Sequence, residues 1–217
     1  ADNFDPLQYA IDLGHSLGLE IHAWANTYIL WSSNYEPTDL NHLYYTKTEW
    51  MESNIYGKSD SEIDISTPQS RNWEGIYLSP NHPEVNFYLK KVFIELIEKY
   101  ELDGLHLDYI RFQDDIYGYN EVGREKFVDQ YGFDPIDIER GIISTKYGWE
   151  ASDIETMKNT WQDYKSTNIT SLVYSILSYI ENSDKEIKLS AAVKNDPILS
   201  IKKWSQDWIG WLDSDII

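Results

Sequence analysis

At Asp103-Gly104 the spacing of apolar residues switches from three-and-four to two, and that switch restricts the architectures open to the chain. Upstream, Val85, Leu89, Val92, Phe93, Leu96, Ile97 and Tyr100 make one buried stripe of a helix spanning about 82–100. Downstream, Leu105, His106, Leu107 and Asp108 alternate apolar with polar, the period of a strand. A helix that passes through a short turn into a buried strand is an α-to-β unit, as found in parallel sheets and barrels. Such folds build their sites at the carboxyl ends of strands, which singles out Asp108 and Arg111. His106 and Asp108 point to the same face. Polar groups inside a barrel are costly unless hydrogen-bonded or used for chemistry. Two readings stay open for each: Asp108 and Arg111 as a site or as a structural ion pair, His106 as a ligand contact or a satisfied core histidine. Asp103 is expected to hydrogen-bond backbone in its turn.

The remaining chain repeats the same alternation. Asp5-Pro6, then Leu7, Ala10, Ile11, Leu13 and Leu17, predict a helix capped by Asp5 and closed at Gly18. A strand is expected over 19–30, with His22, Trp24 and Asn26 on one face and Tyr28 toward its end. For Trp24 the pattern allows either a core filler or a stacking platform. Residues 31–81 form a long connection without strong periodicity, and connections of that length are usually functional. Trp31, His42 and Trp50 are cleft or packing residues within it, and the charges at 60–64 read as a solvated face. Helices are expected over 121–131, around Ile138 and Ile142, over 152–182 with an interruption, and over 201–212. A strand over 187–193 ends at Lys194, Asn195 and Asp196, and a last strand opens at Ser214. The triplet Asn168-Ile-Thr170 falls inside a helical stripe and is discounted as a glycosylation acceptor.

With 217 residues and 41% hydrophobic content, the chain can bury one sizeable core, so a single domain over 1–217 is expected. A net charge of −19 argues against nucleic acid and anionic membrane surfaces as partners. No run is long enough to span a bilayer. Cysteine is absent, and the five histidines are scattered without ligand spacing, so no metal and no cofactor are expected. Nine Trp and seventeen Tyr among carboxylates and amides suit sugar rings, although most will be core. Oligomeric state is not legible.

Asp103-Gly-Leu-His-Leu-Asp-Tyr-Ile-Arg-Phe112 resembles the signature of the glycosyl-hydrolase-like family 10, bacterial (β/α)8-barrel proteins distantly similar to the α-amylase group. The resemblance continues in His22-Ala-Trp-Ala-Asn-Thr-Tyr28, Leu78-Ser-Pro-Asn-His-Pro-Glu-Val85, Tyr117-Gly-Tyr-Asn120 with Phe127 and Tyr131-Gly132, Lys188-Leu-Ser-Ala-Ala-Val193 and Gln206-Asp-Trp208. Gln113 departs from the family's Pro, and Trp161-Gln-Asp-Tyr-Lys165 lacks an Arg after the Trp.

The resemblance implies an α/β fold, a TIM barrel cut at both ends, running from about strand three to the start of strand six. It implies a glycosidase acting on a bacterial polysaccharide or cell-wall glycan and exported from the cytoplasm. Glycoside hydrolysis needs two carboxyl groups. Asp108, on strand four, is the candidate nucleophile, kept ionised by Arg111. Asp196 is the nearest candidate for the second, with Asp207 and Asp115 as lesser options. Expected sugar contacts are His22, Trp24, Asn26, Tyr28, Trp31, His106, Arg111, Tyr117, Asn195 and Asp207. A carbohydrate-binding barrel without catalysis is the alternative.

Overall fold

The computed structural model describes residues 4–67, 69, 70 and 73–217. Helix α1 (Pro6–Ser16) starts where the Asp5 carboxylate accepts the free N–H groups of Leu7 and Gln8, with Pro6 at the first helical position. Strand β1 (His22–Asn26) follows, then β2 (Ile29–Trp31). The long connection holds α2 (Leu43–Thr46), two 3-10 turns at Thr48–Trp50 and Asp60–Glu62, and β3 (Ile76–Tyr77). Pro68, Arg71 and Asn72 of that connection, like Ala1, Asp2 and Asn3 at the start, lie outside the described residues. Next come α3 (Pro83–Lys99), β4 (Gly104–Asp108), α4 (Glu121–Tyr131), α5 (Pro135–Glu139), α6 (Ile143–Tyr147) and α7 (Ala151–Glu181). Strand β5 (Lys188–Ala191), α8 (Pro197–Trp204) and α9 (Trp208–Asp213) complete the chain.

The result is a mixed α/β molecule. Strands β1, β4 and β5 form a parallel sheet in the order β1-β4-β5, so the strand after Asp103-Gly104 is the central one. In register, Trp24 lies beside His106, His106 beside Ser190, and Asn26 beside Asp108. The period of two sends Ala23, Ala25, Leu105, Leu107, Leu189 and Ala191 to one face. There they meet Phe93 and Ile97 of α3 and Ile169, Val173 and Ile176 of α7. Leu105 and Leu107 are fully buried, and each burial contributes roughly 2 kcal/mol. His22, Trp24, Asn26, His106, Asp108 and Ser190 occupy the opposite face, and none of them is buried. Gly104 lies on that face because a side chain there would collide with the His22 ring. Among the described residues the sheet does not close into a barrel; β2 and β3 form a separate antiparallel pair.

Several expected boundaries shift for identifiable reasons. The strand expected over 19–30 breaks after Asn26, because Tyr28 turns into the core and β2 departs to pair with β3. Helix α7 is unbroken, held by a continuous stripe that includes Met157, Trp161, Ile169, Val173, Ile176 and Ile180. The helix expected over 201–212 is two helices, α8 beginning earlier at the Asp196 cap and ending where Ser205 turns left-handed at φ 53°. The region of Ile138 and Ile142 also splits, at Gly141 with φ 66°. No strand forms at Ser214, which sits in a turn after α9.

Candidate active site

The polar face of the sheet ends in a mouth built around Asp108. Its Oδ2 accepts the Trp24 indole N–H at 3.0 Å and its Oδ1 accepts the Tyr109 backbone N–H at 2.7 Å. Tyr109 takes a left-handed φ of 50°, rare for a bulky residue and a mark of a position that its surroundings over-determine. The Trp24 side chain is 71% exposed and meets the His106 ring edge-on at 5.2 Å. His106 Nδ1 lies 2.9 Å from Ser190 Oγ, so each layer of the face is tied across strands. An acceptor beside an exposed aromatic platform is what a sugar hydroxyl and its ring face require.

Arg111 corrects an expectation. It does not pair with Asp108; its Nη2 donates to both Glu74 oxygens, at 2.8 and 3.0 Å, and its guanidinium lies 5.2 Å from the Tyr109 ring. The Tyr77 hydroxyl donates to Glu74 Oε2 at 2.6 Å. Burial pushes the Glu74 carboxyl up, but the hydrogen bonds from Arg111 and Tyr77 outweigh it, leaving the group below the usual glutamate range. Lys194, just past β5, completes the cluster: its ammonium lies 4.9 Å over Trp204 and within electrostatic reach of Arg111, Glu74 and Asp108. Burial, with the Arg111 charge, holds it below the usual lysine range.

Gln206 fixes the wall of this mouth. Completely buried, it donates through Nε2 to the carbonyls of Ile110 and Ala192, at 3.2 and 3.0 Å. Its Oε1 accepts from the Lys194 backbone N–H and the Ser200 hydroxyl.

The remaining candidates divide. Asn26, exposed, stands beside Asp108 in register. His22 belongs to the amino end of the sheet, about 13 Å along the strand, where its Nε2 meets Glu20 at 3.3 Å. Tyr28 is 0% exposed and donates its hydroxyl to Asn86, so it is core and not a ligand contact. Trp31 donates to the Tyr35 carbonyl and touches His42 edge-on, and Trp50 is buried with its N–H on Glu84. Asn195 is exposed, while Asp196 caps α8 through the Leu199 N–H and makes no bond to Asp108, Trp24 or Arg111. Asp207 likewise caps α9 through the Gly210 N–H and faces a groove along α7, not the mouth. Asp103 bonds the Ile21 N–H and His15 across the sheet, not its own turn.

Sequence reasoning missed a second polar cluster. Asp60, read as solvated, is 1% exposed; its Oδ2 accepts from the Tyr77 N–H and Gln113 Nε2 at 2.9 and 2.5 Å. Burial pushes its carboxyl up to about 8. Glu52, 0% exposed, accepts the Ser53 and Asn120 N–H groups through Oε1, leaves Oε2 unpartnered, and is pushed by burial to about 7. Burial lowers Lys165, on α7, to about 8. The one available signal was Gln113 in place of Pro, a side chain able to donate to a buried carboxyl. Tyr117 belongs to this side too: it lines a groove with Asp60. Among the described residues no group of His, Asp and Glu could hold a metal ion, and no helix is long and apolar enough to cross a membrane.

Comparison with known proteins bears on family and fold. Glycosyl hydrolase DigH of Escherichia coli (strain K12) is 29% identical over 105 residues, 48% of this chain and 22% of that protein. Glycosyl hydrolase YngK of Bacillus subtilis (strain 168) is 26% identical over 191 residues, 85% of this chain and 29% of that protein. The chain therefore spans less than a third of the length of these curated relatives. Among solved structures, the PgaB (BpsB) glycoside hydrolase domain from Bordetella bronchiseptica matches with a TM-score of 0.53 over 99% of this chain and 53% of that one. At 15% identity it speaks for the fold alone. The glycosyl hydrolase-like 10 model matches residues 1–217, and the chain belongs to that family.

Proposed function

We propose that the chain is part of a glycoside hydrolase that cleaves a bacterial polysaccharide or cell-wall glycan, with Asp108 as the carboxylate that works at the anomeric carbon. The observation that carries this reading is the position of Asp108 at the end of the central parallel strand, gripped by the exposed Trp24. A sugar ring laid on Trp24 would bring its hydroxyls and anomeric carbon to that carboxylate, with Asn26 alongside. Arg111 acts indirectly, fixing Glu74 and Tyr109 around the mouth. The sheet of β1, β4 and β5 corresponds in this reading to strands three, four and five of a (β/α)8 barrel, and the 217 residues to one partial catalytic domain.

A second reading rests on a specific observation. Two carboxylates near the mouth are committed, Glu74 to Arg111 and Asp196 to a helix cap, so neither stands ready as the proton donor. This favours a carbohydrate-binding barrel in which Asp108 grips a hydroxyl. Sugar release from bacterial wall and capsular glycans, compared between the intact protein and Asp108→Asn, separates the two. Release abolished with binding retained supports hydrolysis. Binding lost in the variant, with no release by the wild type, overturns it in favour of the second reading.

A further inference from the structure

A groove of about 400 Å3 is lined by residues of the long connection and Tyr117, and Asp108 is not in its lining. Trp73 lines it, whereas the next residue, Glu74, is held by Arg111 at the mouth, so one peptide of wall separates the two places. Asp60 lines it as well. That side chain is 1% exposed, and Tyr77 and Gln113 donate to its Oδ2. Two buried polar atoms go unpartnered among the described residues, the Nε1 donor of Trp73 in the lining and the Oε1 acceptor of Gln113, which is bonded to Asp60. Buried groups of this kind are usually satisfied, and a set that collects donors and acceptors at one groove matches a ligand carrying both.

The lining narrows the ligand. Trp73 and Tyr117 supply aromatic surface, and Asn54, Ser59 and Gln69 supply amides and a hydroxyl. Glu62 and Asp64 outnumber Lys58, so an anionic group is repelled. Aromatic faces among amides and carboxyls fit a ring whose faces are C–H and whose edges are hydroxyls. We infer that this groove is a second saccharide-binding site that takes an uncharged sugar unit, distinct from the mouth at Asp108. It rests on the carbohydrate reading of the protein and not on Asp108 being catalytic. Tyr117 is the expected sugar contact that lines this groove.

The test is nuclear magnetic resonance of the indole N–H groups in the intact protein. The probes are cellotriose, maltotriose and chitotriose as neutral sugars and trigalacturonate as the acidic one. The expected result is a saturable shift of the Trp73 resonance with at least one neutral trisaccharide, present alike in wild type and Asp108→Asn. Trigalacturonate is expected to leave it in place. Tyr117→Ala should weaken the neutral sugar by about tenfold, the loss of one aromatic wall. Glu62→Lys, at an exposed position that folding does not depend on, should admit trigalacturonate. A Trp73 resonance that no neutral trisaccharide moves overturns the inference. So does one that moves only together with Trp24 and is lost in Asp108→Asn. Turnover that survives Asp108→Asn would sink the proposed hydrolysis and leave this site standing.

Discussion

The mouth at Asp108 and the cluster beneath the long connection both gather ionisable side chains, and they meet the cost in opposite ways. At the mouth, Asp108 accepts two N–H groups, and Glu74 is forked by Arg111, which keeps the Glu74 charge and directs it. Beneath the connection, burial lowers Lys165 to about 8 and moves Glu52 and Asp60 to about 7 and 8, so near neutral pH the two carboxyls give up much of their charge. The difference lies in partners, not in residue types. A carboxylate with a guanidinium beside it survives partial burial, and one without is driven toward its acid form.

Breaking the mouth should cost most. We expect Asp108→Asn to lower turnover by about 10³-fold or more, read as sugar release, with the fold unchanged by circular dichroism. Next is the support common to the sheet: Leu107→Ala, which empties a fully buried position against α3 and α7, should lower stability by about 2–5 kcal/mol in urea denaturation. Smaller is Arg111→Met, which strips Glu74 of its partner. A loss of about 2 kcal/mol is expected, partly recovered in the double variant with Glu74→Gln, where no charge is left stranded.

The last test bears on the cluster and shows only at one end of the pH range. Asp60 and Glu52 have folded values above their ordinary 3.8 and 4.5, so the folded chain holds protons the unfolded chain releases. Their stability contribution is complete below about 4 and is lost as the pH rises through about 8. Asn mimics the protonated acid, so Asp60→Asn should match wild type near pH 4 and be the more stable of the two at pH 8.5, in thermal melts across that range. A variant curve parallel to wild type would mean that Asp60 is ionised in the fold and that the two regions do not differ as described.

Local signals were read correctly where the causes are local. The Asp5 cap, the α3 stripe and the turn into β4 all depend on residues within one or two turns of one another. The Asp108 to Trp24 bond follows from strand parity plus parallel register, so a face shared by those residues was within reach. What escaped depends on distant partners. Glu74 reaches Arg111 across 37 positions and Asp60 reaches Gln113 across 53, inside a connection with no period to align. Tyr28 continued a strand pattern, yet the chain leaves the sheet there because its ring fills the core. Asp196 and Asp207 sat where catalytic groups are sought, but each precedes a helix whose first N–H groups need an acceptor, and that local demand takes them.

The bonds of Gln206 have a kinetic consequence. One amide side chain joins the loop after β4, the end of β5 and the start of the turn after α8, so none of the three can peel away without breaking bonds to the other two. Fluctuations of the mouth are then collective. The amide hydrogen of Lys194, which donates to Gln206, should exchange with solvent at the rate of one concerted opening, and so should that of Phe112, bonded to the Trp204 carbonyl. Opening of the loops around Asp108 should then be timed by a residue that makes no bond to it.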